Sequence, residues 1–502
     1  MKRRVDGDTA VRRLSVGRHD NDGDLSWIGR IDTVRGPRYL AIIACLEDAI
    51  RSGQLAPKMR LPPQRRLAEL LGLTVGTTGR AYTIAAERGL ITGETGRGTF
   101  VREQAFGGND GGINPLLGAL VGSTPKASGL QNVPTEMQVM DLALHSVPGD
   151  VSDILTRLTG ELAARQFSAM PRKYVTRRAP LRYAAAASRW LQGIGLDVEP
   201  QRIVVTAGGF QAVAAAILGN MARGEPILTD SITYSGLKAV AFNYGWRLEP
   251  LLRDEGGMLP EALERAAVEG RGRIVYVQTE LHNPTAVVMS LERRKAIVDI
   301  ARRHDLLLIE DHAALSDLSS QIPPLAALAP EHTFLIASAT KSVSVSVSAG
   351  YIVAPPGWGE RFELQTRDRY FQISPLGAEI MTHIIETGAI RDIAQAYRAA
   401  IRRRLELLRR NLPGMHFVSD PRSFFVWLAL PVQWRSDNFA SAAALNGVTV
   451  AASSNFSLGV VMNVPAVRLS LLGSATDAGF VEGVRRLRAA LDSGVVSLGA
   501  IV

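Results

Sequence analysis

The sequence predicts a two-part α/β chain: a small helical module closed by a hairpin, a linker, and a large domain with a mixed, mostly parallel sheet and a smaller C-terminal α+β subdomain. Three observations carry this prediction. From about residue 136 onward, short apolar runs ("RIVVTAG", "EPILTD", "RIVYVQT", "LLLIED", "FLIASA") alternate with amphipathic helical stretches, and strands alternating with helices argue for a parallel sheet covered on both faces. Residues 36–102 instead hold closely spaced helical runs and a glycine-tipped hairpin pattern. Between them, residues 103–135 are rich in Gly, Asn, Pro and Ser, the composition of a linker.

Composition sets the outer bounds. At 502 residues the chain exceeds what one hydrophobic core supports, so several domain-sized units are expected. Its 46% apolar and 21% charged residues are ordinary for a folded globular protein and argue against a disordered class. A formal net charge of +9 favours an anionic partner, which makes nucleic acid a candidate. Cys45 is the sole cysteine, so an intrachain disulfide and a multi-cysteine metal site are excluded and a cytoplasmic location fits. No metal site is expected. The opening "MKRRVDGDTAVRRLSVGRHD" lacks the apolar core of a secretory signal. The uncharged stretch 438–467 is interrupted by Ser, Asn, Gly and Pro, which suits no membrane span.

In chain order, residues 1–35 carry mixed charge without apolar periodicity and read as a flexible basic arm. "PRYLAIIACLEDAIRSG" then places Leu40, Ile43, Ala44, Leu46, Ala49 and Ile50 on one helical face and stops at Gly53. Two further helical runs flank the short turn around "GLT", which raises a helix-turn-helix. "ITGETGRGTFV" has strand-forming ends around a glycine-rich tip. Ten Lys or Arg against five Asp or Glu in residues 38–102 are weak evidence alone. The arrangement adds more: small polar residues at a helix N-terminus let the backbone approach a groove, with arginines nearby for phosphates. Thr74, Gly76, Thr77, Thr78 and Arg80 supply the first, and Arg65 and Arg66 on the preceding helix supply the second.

These residues resemble the winged helix-turn-helix of GntR-type regulators over about 65 positions. The marks are Leu61-Pro62, Arg65, Leu67-Ala68, Gly72, Arg80-Ala81-Tyr82, Gly89 and the wing Gly96-x-Gly98-Thr99-Phe100. The resemblance implies double-stranded DNA as partner, contacted through Arg65, Thr74, Thr77, Arg80 and the wing tip at Arg97 and Gly98, with Arg66 and Thr78 as further candidates. Pro63 stands where the family has serine and Val75 where it has a recognition-helix arginine, so contacts are lost and the operator stays open.

In the second part, the stretch "SATKSVSVSVSAGYIVAP" holds one lysine, Lys341, followed by serine and valine in alternation. Period-two alternation reads as a half-buried strand, and a lone lysine at a strand edge reads as structural. Its neighbours change that reading. The region resembles the fold-type I aminotransferases, and winged helix, linker and transferase-like domain together resemble the MocR subgroup of GntR regulators. The resemblance implies pyridoxal 5'-phosphate (PLP), joined to Lys341 as a Schiff base. Gly208, Gly209 and Phe210 in "VVTAGGFQAV" match the phosphate loop, with Ser338 and Thr340 as further phosphate donors. Tyr234 matches the ring-stacking aromatic, Asn283 of "HNPT" the holder of the ring oxygen, and Asp311 of "LLLIEDH" the carboxylate at the ring nitrogen. Arg468 in "PAVRLSLLG" matches the arginine that grips an effector carboxylate, and Tyr174 a residue reaching in from the neighbouring subunit.

The departures narrow the expectation. A tyrosine usual after the aspartate is absent from His312-Ala313-Ala314, and a phosphate-binding arginine is replaced by Ser348. Losing a charge-assisted hydrogen bond weakens cofactor binding by about ten- to a hundredfold unless another cation compensates. Arg177 or Arg178 is the expected substitute. The leading expectation is therefore a DNA-binding regulator, a head-to-tail homodimer, whose transferase-like domain (136–502, with the small subdomain from about 374) senses PLP or an amino compound. The alternatives are a working aminotransferase with an accessory DNA-binding module and a regulator that has lost PLP.

Overall fold

The apolar spacing of "RYLAIIACLEDAIR" winds Arg38–Arg51 into a helix that buries Ala41, Ile42, Ile43, Cys45, Leu46 and Ala49 in the computed structural model. The structure describes residues 27, 38–51, 54–87, 90–94, 98–101, 140–144, 146–166, 180–220, 224–312, 320, 322–359, 362, 375–458, 464–474 and 476–493. The expected linker, nearly all of the arm, and Gly89, Arg97, Tyr174, Arg177, Arg178, Ala313 and Ala314 lie outside these residues. The chain divides into two compact units, Met1–Gly112 and Ile113–Val502.

In the first unit the helix Gln64–Leu71 ends at Gly72, whose φ of 60° only glycine adopts without strain. The chain then turns directly into a third helix, Val75–Glu87, where Thr74 Oγ1 accepts from the Thr77 amide at 3.3 Å. Strands Ile91–Glu94 and Gly98–Val101 pair antiparallel, and Arg60–Leu61 adds a third strand beside Gly98–Val101. The core gathers Trp27, Ile42, Leu46, Leu67, Tyr82 and Val101. The Tyr82 hydroxyl is buried and donates to the Pro62 carbonyl at 2.7 Å, fastening the third helix to the entrance of the second.

The second unit is built on seven strands in the order Ile203–Thr206, Gly350–Val353, Thr333–Ser338, Leu307–Asp311, Ile274–Val277, Ile227–Asp230 and Leu248–Leu251. All neighbours pair parallel except at Gly350–Val353, which runs antiparallel to both of its neighbours. The five apolar runs noted above are all strands of this sheet, and their near-complete burial is what a sheet covered on both faces requires. A four-stranded antiparallel sheet of Phe417–Val418, Phe425–Ala429, Ala466–Ser470 and Ala451–Ala452 forms the smaller C-terminal part. Met140–Asp141 pairs parallel with Val448–Thr449, so the start of the described large domain is joined to its end. Among the described residues no helix is long and apolar enough to cross a membrane.

One expectation fails here. The serine–valine alternation after Lys341 is not a strand: Ala339–Ser342 is a single helical turn, and a strand resumes only at Gly350. The hydroxyls bond the backbone locally, Ser342 Oγ donating to the Ser338 carbonyl at 2.9 Å and Ser344 Oγ accepting from the Ser346 amide at 3.1 Å. Serine competing with ladder hydrogen bonds overrides the period-two pattern. Ser342, Val343 and Ser344 are all buried while Val345 and Ser346 are exposed, so burial follows no period of two.

Candidate functional site

On the first unit, Arg65, Thr74, Arg80 and Gly98 are exposed, and Arg66 and Thr77 are half-buried. Thr74 and Thr77 share a hydroxyl contact of 2.9 Å, and Arg80 lies 4.3 Å from the Tyr39 ring centroid. Arg66 is paired with Glu69 at 3.2 Å. Thr78 is corrected: it is fully buried, and its hydroxyl donates to the Gln64 carbonyl at 2.9 Å and the Val75 carbonyl at 3.1 Å. It ties the two helices together and has no surface to offer a groove. Packing there is close, since a Cβ at Gly79 would sit 3.2 Å from Gln64 Oε1.

On the second unit the C-terminal ends of the sheet strands open onto a cavity of about 320 Å³, the place where open α/β sheets bind ligands. It is lined by Gly208, Gly209, Phe210, Tyr234, Asp311, Ser338, Thr340 and Lys341, and also by Gln211 and Gln278. The strand Ile203–Thr206 leads to Gly208, which has a φ of 122° and starts the helix Gly209–Leu218. That helix N-terminus presents a positive dipole end to the cavity. Close approach is required behind it: a Cβ at Gly350 would lie 2.5 Å from Thr206 Oγ1 and 2.6 Å from the Gly208 carbonyl carbon. The Gly209 amide donates to Ser338 Oγ at 3.2 Å, and Ser338 Oγ lies 3.2 Å from Thr340 Oγ1. Phe210 stands 47% exposed at the rim.

Asp311 is buried at the end of its strand and accepts from the Tyr276 hydroxyl at 2.5 Å. Burial first, and then the Asp311 charge, hold the Tyr276 phenol well above its ordinary range. The Lys341 amine lies 5.4 Å from the centroid of the Tyr234 ring. Desolvation, helped by the Arg468 charge and opposed by Asp311, lowers the lysine to about 8. The Tyr234 phenol is pushed up to about 12 by burial and by Asp311.

Asn283 is buried in a turn after the strand Ile274–Val277, and its bond to Pro284 is cis. Its amide N–H donates to Gln278 Oε1 at 3.1 Å, and its side-chain oxygen accepts from Arg468 Nη1 at 2.8 Å. Its Nδ2 is buried without a hydrogen-bond partner among the described residues. Arg468 also donates from Nη2 to the Ala143 carbonyl at 2.8 Å, sits 5.0 Å and 5.5 Å from the Phe456 and Phe425 ring centroids, and is lowered to about 10 by burial. Ser348 is exposed. His312 is buried, with Nε2 3.0 Å from Glu310 and 3.1 Å from Thr279 Oγ1. No cluster of three or more metal-ligating side chains occurs among the described residues.

Three contributors escaped the sequence reading: Gln211, Tyr276 and Gln278. Tyr276 and Gln278 are two residues apart at the end of one strand, the spacing that puts both on one face. Two polar-tipped residues at that spacing, in an otherwise apolar run, were the available signal.

Comparison with known proteins fits both units. Residues 160–487 match the family "Aminotransferase class I and II", and residues 38–101 match "Bacterial regulatory proteins, gntR family". The chain is 29% identical over 468 residues to the uncharacterized HTH-type transcriptional regulator YdeF of Bacillus subtilis, covering 93% of this chain and 97% of that protein. It is 27% identical over 371 residues to the HTH-type pyridoxine biosynthesis transcriptional regulator PdxR of Corynebacterium glutamicum, covering 72% and 76% respectively. An archaeal alanine:glyoxylate aminotransferase of known structure shares the fold with a TM-score of 0.66 at 21% identity, over 76% of this chain and 96% of that one. With one match spanning most of the second unit and the other spanning the winged module, the chain belongs to the aminotransferase class I and II family and carries it behind a GntR-type helix-turn-helix, the MocR-type architecture of a transcriptional regulator.

Proposed function

We propose that this regulator binds DNA through its winged module and holds PLP through Lys341 in its transferase-like domain, so that PLP supply, or an amino compound that meets PLP there, sets its DNA affinity. The observation that carries the reading is the set of groups gathered at the C-terminal ends of the strands. On the cavity are an amine lowered to about 8, the carboxylate of Asp311, which accepts from Tyr276, and the helix N-terminus after Gly208, and beside Arg468 is a buried Asn283 Nδ2 without a hydrogen-bond partner among the described residues. A free buried amide is costly and rare, so its presence at this spot supports a ligand that accepts from it.

These residues fit PLP. Gly209, Ser338 and Thr340 would hold the phosphate, Asp311 the ring nitrogen, Asn283 the ring oxygen, and Tyr234 the ring face. When bound, PLP supplies an aldehyde that amines attack and a ring that withdraws electrons. Desolvation leaves a large share of Lys341 neutral, and therefore nucleophilic, near pH 8. Arg468, already joined to Asn283, would pair with an effector carboxylate in two hydrogen bonds. The name of the pyridoxine-biosynthesis regulator among its relatives supports a vitamin B6 signal.

The test is a visible absorption band on adding PLP to the full chain, fixed by borohydride and lost in Lys341→Ala. Without a Lys341-dependent band the sensor reading fails, whatever the DNA binding. The retention of Arg468 beside Asn283 favours a second reading, a working aminotransferase. Repeated turnover of an amino donor to its keto acid would establish it in place of a pure sensor.

A further inference from the structure

Behind the turn that carries Asn283 lies a ring of four side chains that the binding of PLP does not use directly. Asp230, at the end of its strand, is 2% exposed. Arg253 Nε lies 3.5 Å from Asp230 Oδ1, and His282 Nε2 lies 3.6 Å from Asp230 Oδ2. Thr285 Oγ1 closes the ring, 2.8 Å from His282 Nδ1 and 3.4 Å from Arg253 Nη2. Asp230 Oδ1, Arg253 Nε and His282 Nε2 are buried, with no hydrogen-bond partner among the described residues. Burying an acid, a guanidinium and an imidazole this way costs several kcal/mol of desolvation, so stability alone does not account for them.

The turn they surround is itself unfavourable. Leu281 has a φ of 47° and Ala286 a φ of 57°, both left-handed, and neither is glycine. Such backbone costs about 1–2 kcal/mol per residue and persists only where the surroundings impose it. The Ala286 amide closes the turn onto the His282 carbonyl at 2.6 Å, and Asn283 sits at its apex.

We propose that Asp230, Arg253, Thr285 and His282 form a buried clamp that fixes the turn and thereby aims Asn283 at the ring oxygen of a cofactor on Lys341. They are positioning residues, and the proposal rests on the reading of this cavity as a PLP site. His282 and Thr285 flank Asn283-Pro284 in sequence, so the clamp grips the turn on both sides of the asparagine. Asp230 and Arg253 anchor it to a sheet strand and to the hairpin Arg253–Met258. Burial first, and then Arg253, hold His282 well below its ordinary value, so the ring is a neutral spacer that bonds Thr285 through Nδ1 and sets its other edge against Asp230. The charged and titratable groups facing the clamp are Arg293, Asp254 and Tyr276. Those facing Lys341 are Asp311, Arg468 and Tyr234.

The test compares the full-length protein with Thr285→Val, which keeps shape but removes the hydroxyl, and with Thr285→Ser, which restores it. PLP affinity and the pH midpoint of the Lys341-dependent band are recorded for each, with circular dichroism to confirm folding. Thr285→Val is expected to weaken PLP binding by roughly tenfold and to shift the midpoint, and Thr285→Ser to return both toward the original. Asp230→Asn, nearly isosteric, is expected to act in the same direction as Thr285→Val. A Thr285→Val protein that melts earlier yet keeps the original affinity and midpoint overturns the clamp and leaves the PLP reading intact. Absence of the band in the unsubstituted protein overturns both.

Discussion

At the scale of single residues, the chemistry turns on how much water each group has lost. Lys341 is lowered to about 8 because its charged form is desolvated and faces Arg468. Attachment of PLP requires the neutral amine, so its rate in the full chain should climb with pH and level off with a midpoint near 8. A midpoint near the ordinary lysine value would mean that the amine is solvated, and Lys341→Ala should abolish the reaction. The same shift has a sign for stability. The folded amine releases its proton at a lower pH than the unfolded one, so between pH 8 and the ordinary lysine value the unfolded chain binds more protons and this group's contribution to stability rises with pH. On the winged module, exposure separates two residues that composition had grouped. Exposed Arg65→Ala should lower DNA affinity and reduce the slope of log affinity against log salt by about one, as one phosphate contact does. Buried Thr78→Val should instead cost about 1–3 kcal/mol of stability, because the Gln64 carbonyl loses its donor, with the salt slope unchanged. Denaturant melts and binding at several salt concentrations read the two effects separately.

At the scale of elements, two turns have nearly the same backbone angle and opposite chemistry. Gly72 ends a helix with a φ of 60°, nothing lies within 4 Å of where its Cβ would be, and it holds the turn of the helix pair. Gly72→Ala should therefore destabilise through backbone strain alone, by about 1 kcal/mol. Ala286, at a φ of 57°, is the converse case. Ala286→Gly relieves about 1–2 kcal/mol of strain, but it gives back about 0.4–1 kcal/mol as unfolded-chain entropy and about 0.8 kcal/mol as the lost packing of a buried methyl, so a net change near zero is expected. A melting temperature close to the original for Ala286→Gly, beside a clear loss for Gly72→Ala, would bear this out, and a loss of more than about 1 kcal/mol for Ala286→Gly would show that the turn is not strained. Elements of this kind explain which parts of the fold were legible in the sequence. The parallel strands were plain because burial on both faces forces continuous apolar runs, whereas the glycine pair before the helix at Gly209 is a common pattern and was read only through the family resemblance. The stretch after Lys341 misled because serine hydroxyls satisfy the backbone as well as a ladder does, a choice made by local hydrogen bonds that alternation does not encode. Thr78 misled because a small polar residue at a helix start suits a groove and a helix–helix contact equally. The Asp230, Arg253 and His282 ring was invisible because its members come from three separated stretches of chain.

At the scale of the whole molecule, two units with unlike tasks share one chain, and the proposed function requires them to be linked in free energy. A ligand shifts DNA affinity only if it binds one conformation of the protein better than another. Thermodynamic linkage then demands reciprocity: if PLP changes the affinity for operator DNA by some factor, operator DNA must change the affinity for PLP by the same factor. For a coupling of about 1–3 kcal/mol that factor is between about 5 and 150. The measurement pairs two titrations of the full-length protein, DNA binding with and without PLP, and the Lys341-dependent band with and without operator DNA, at one salt concentration because the DNA term depends steeply on salt. Equal factors greater than or less than one support a sensor. Factors of one in both directions would leave the transferase-like domain without influence on DNA and point to the enzyme reading instead. Unequal factors would show that covalent capture at Lys341 does not reach equilibrium during the assay. Borohydride reduction then resolves that case, since a protein locked with PLP at Lys341 should show the full change in DNA affinity without free PLP present.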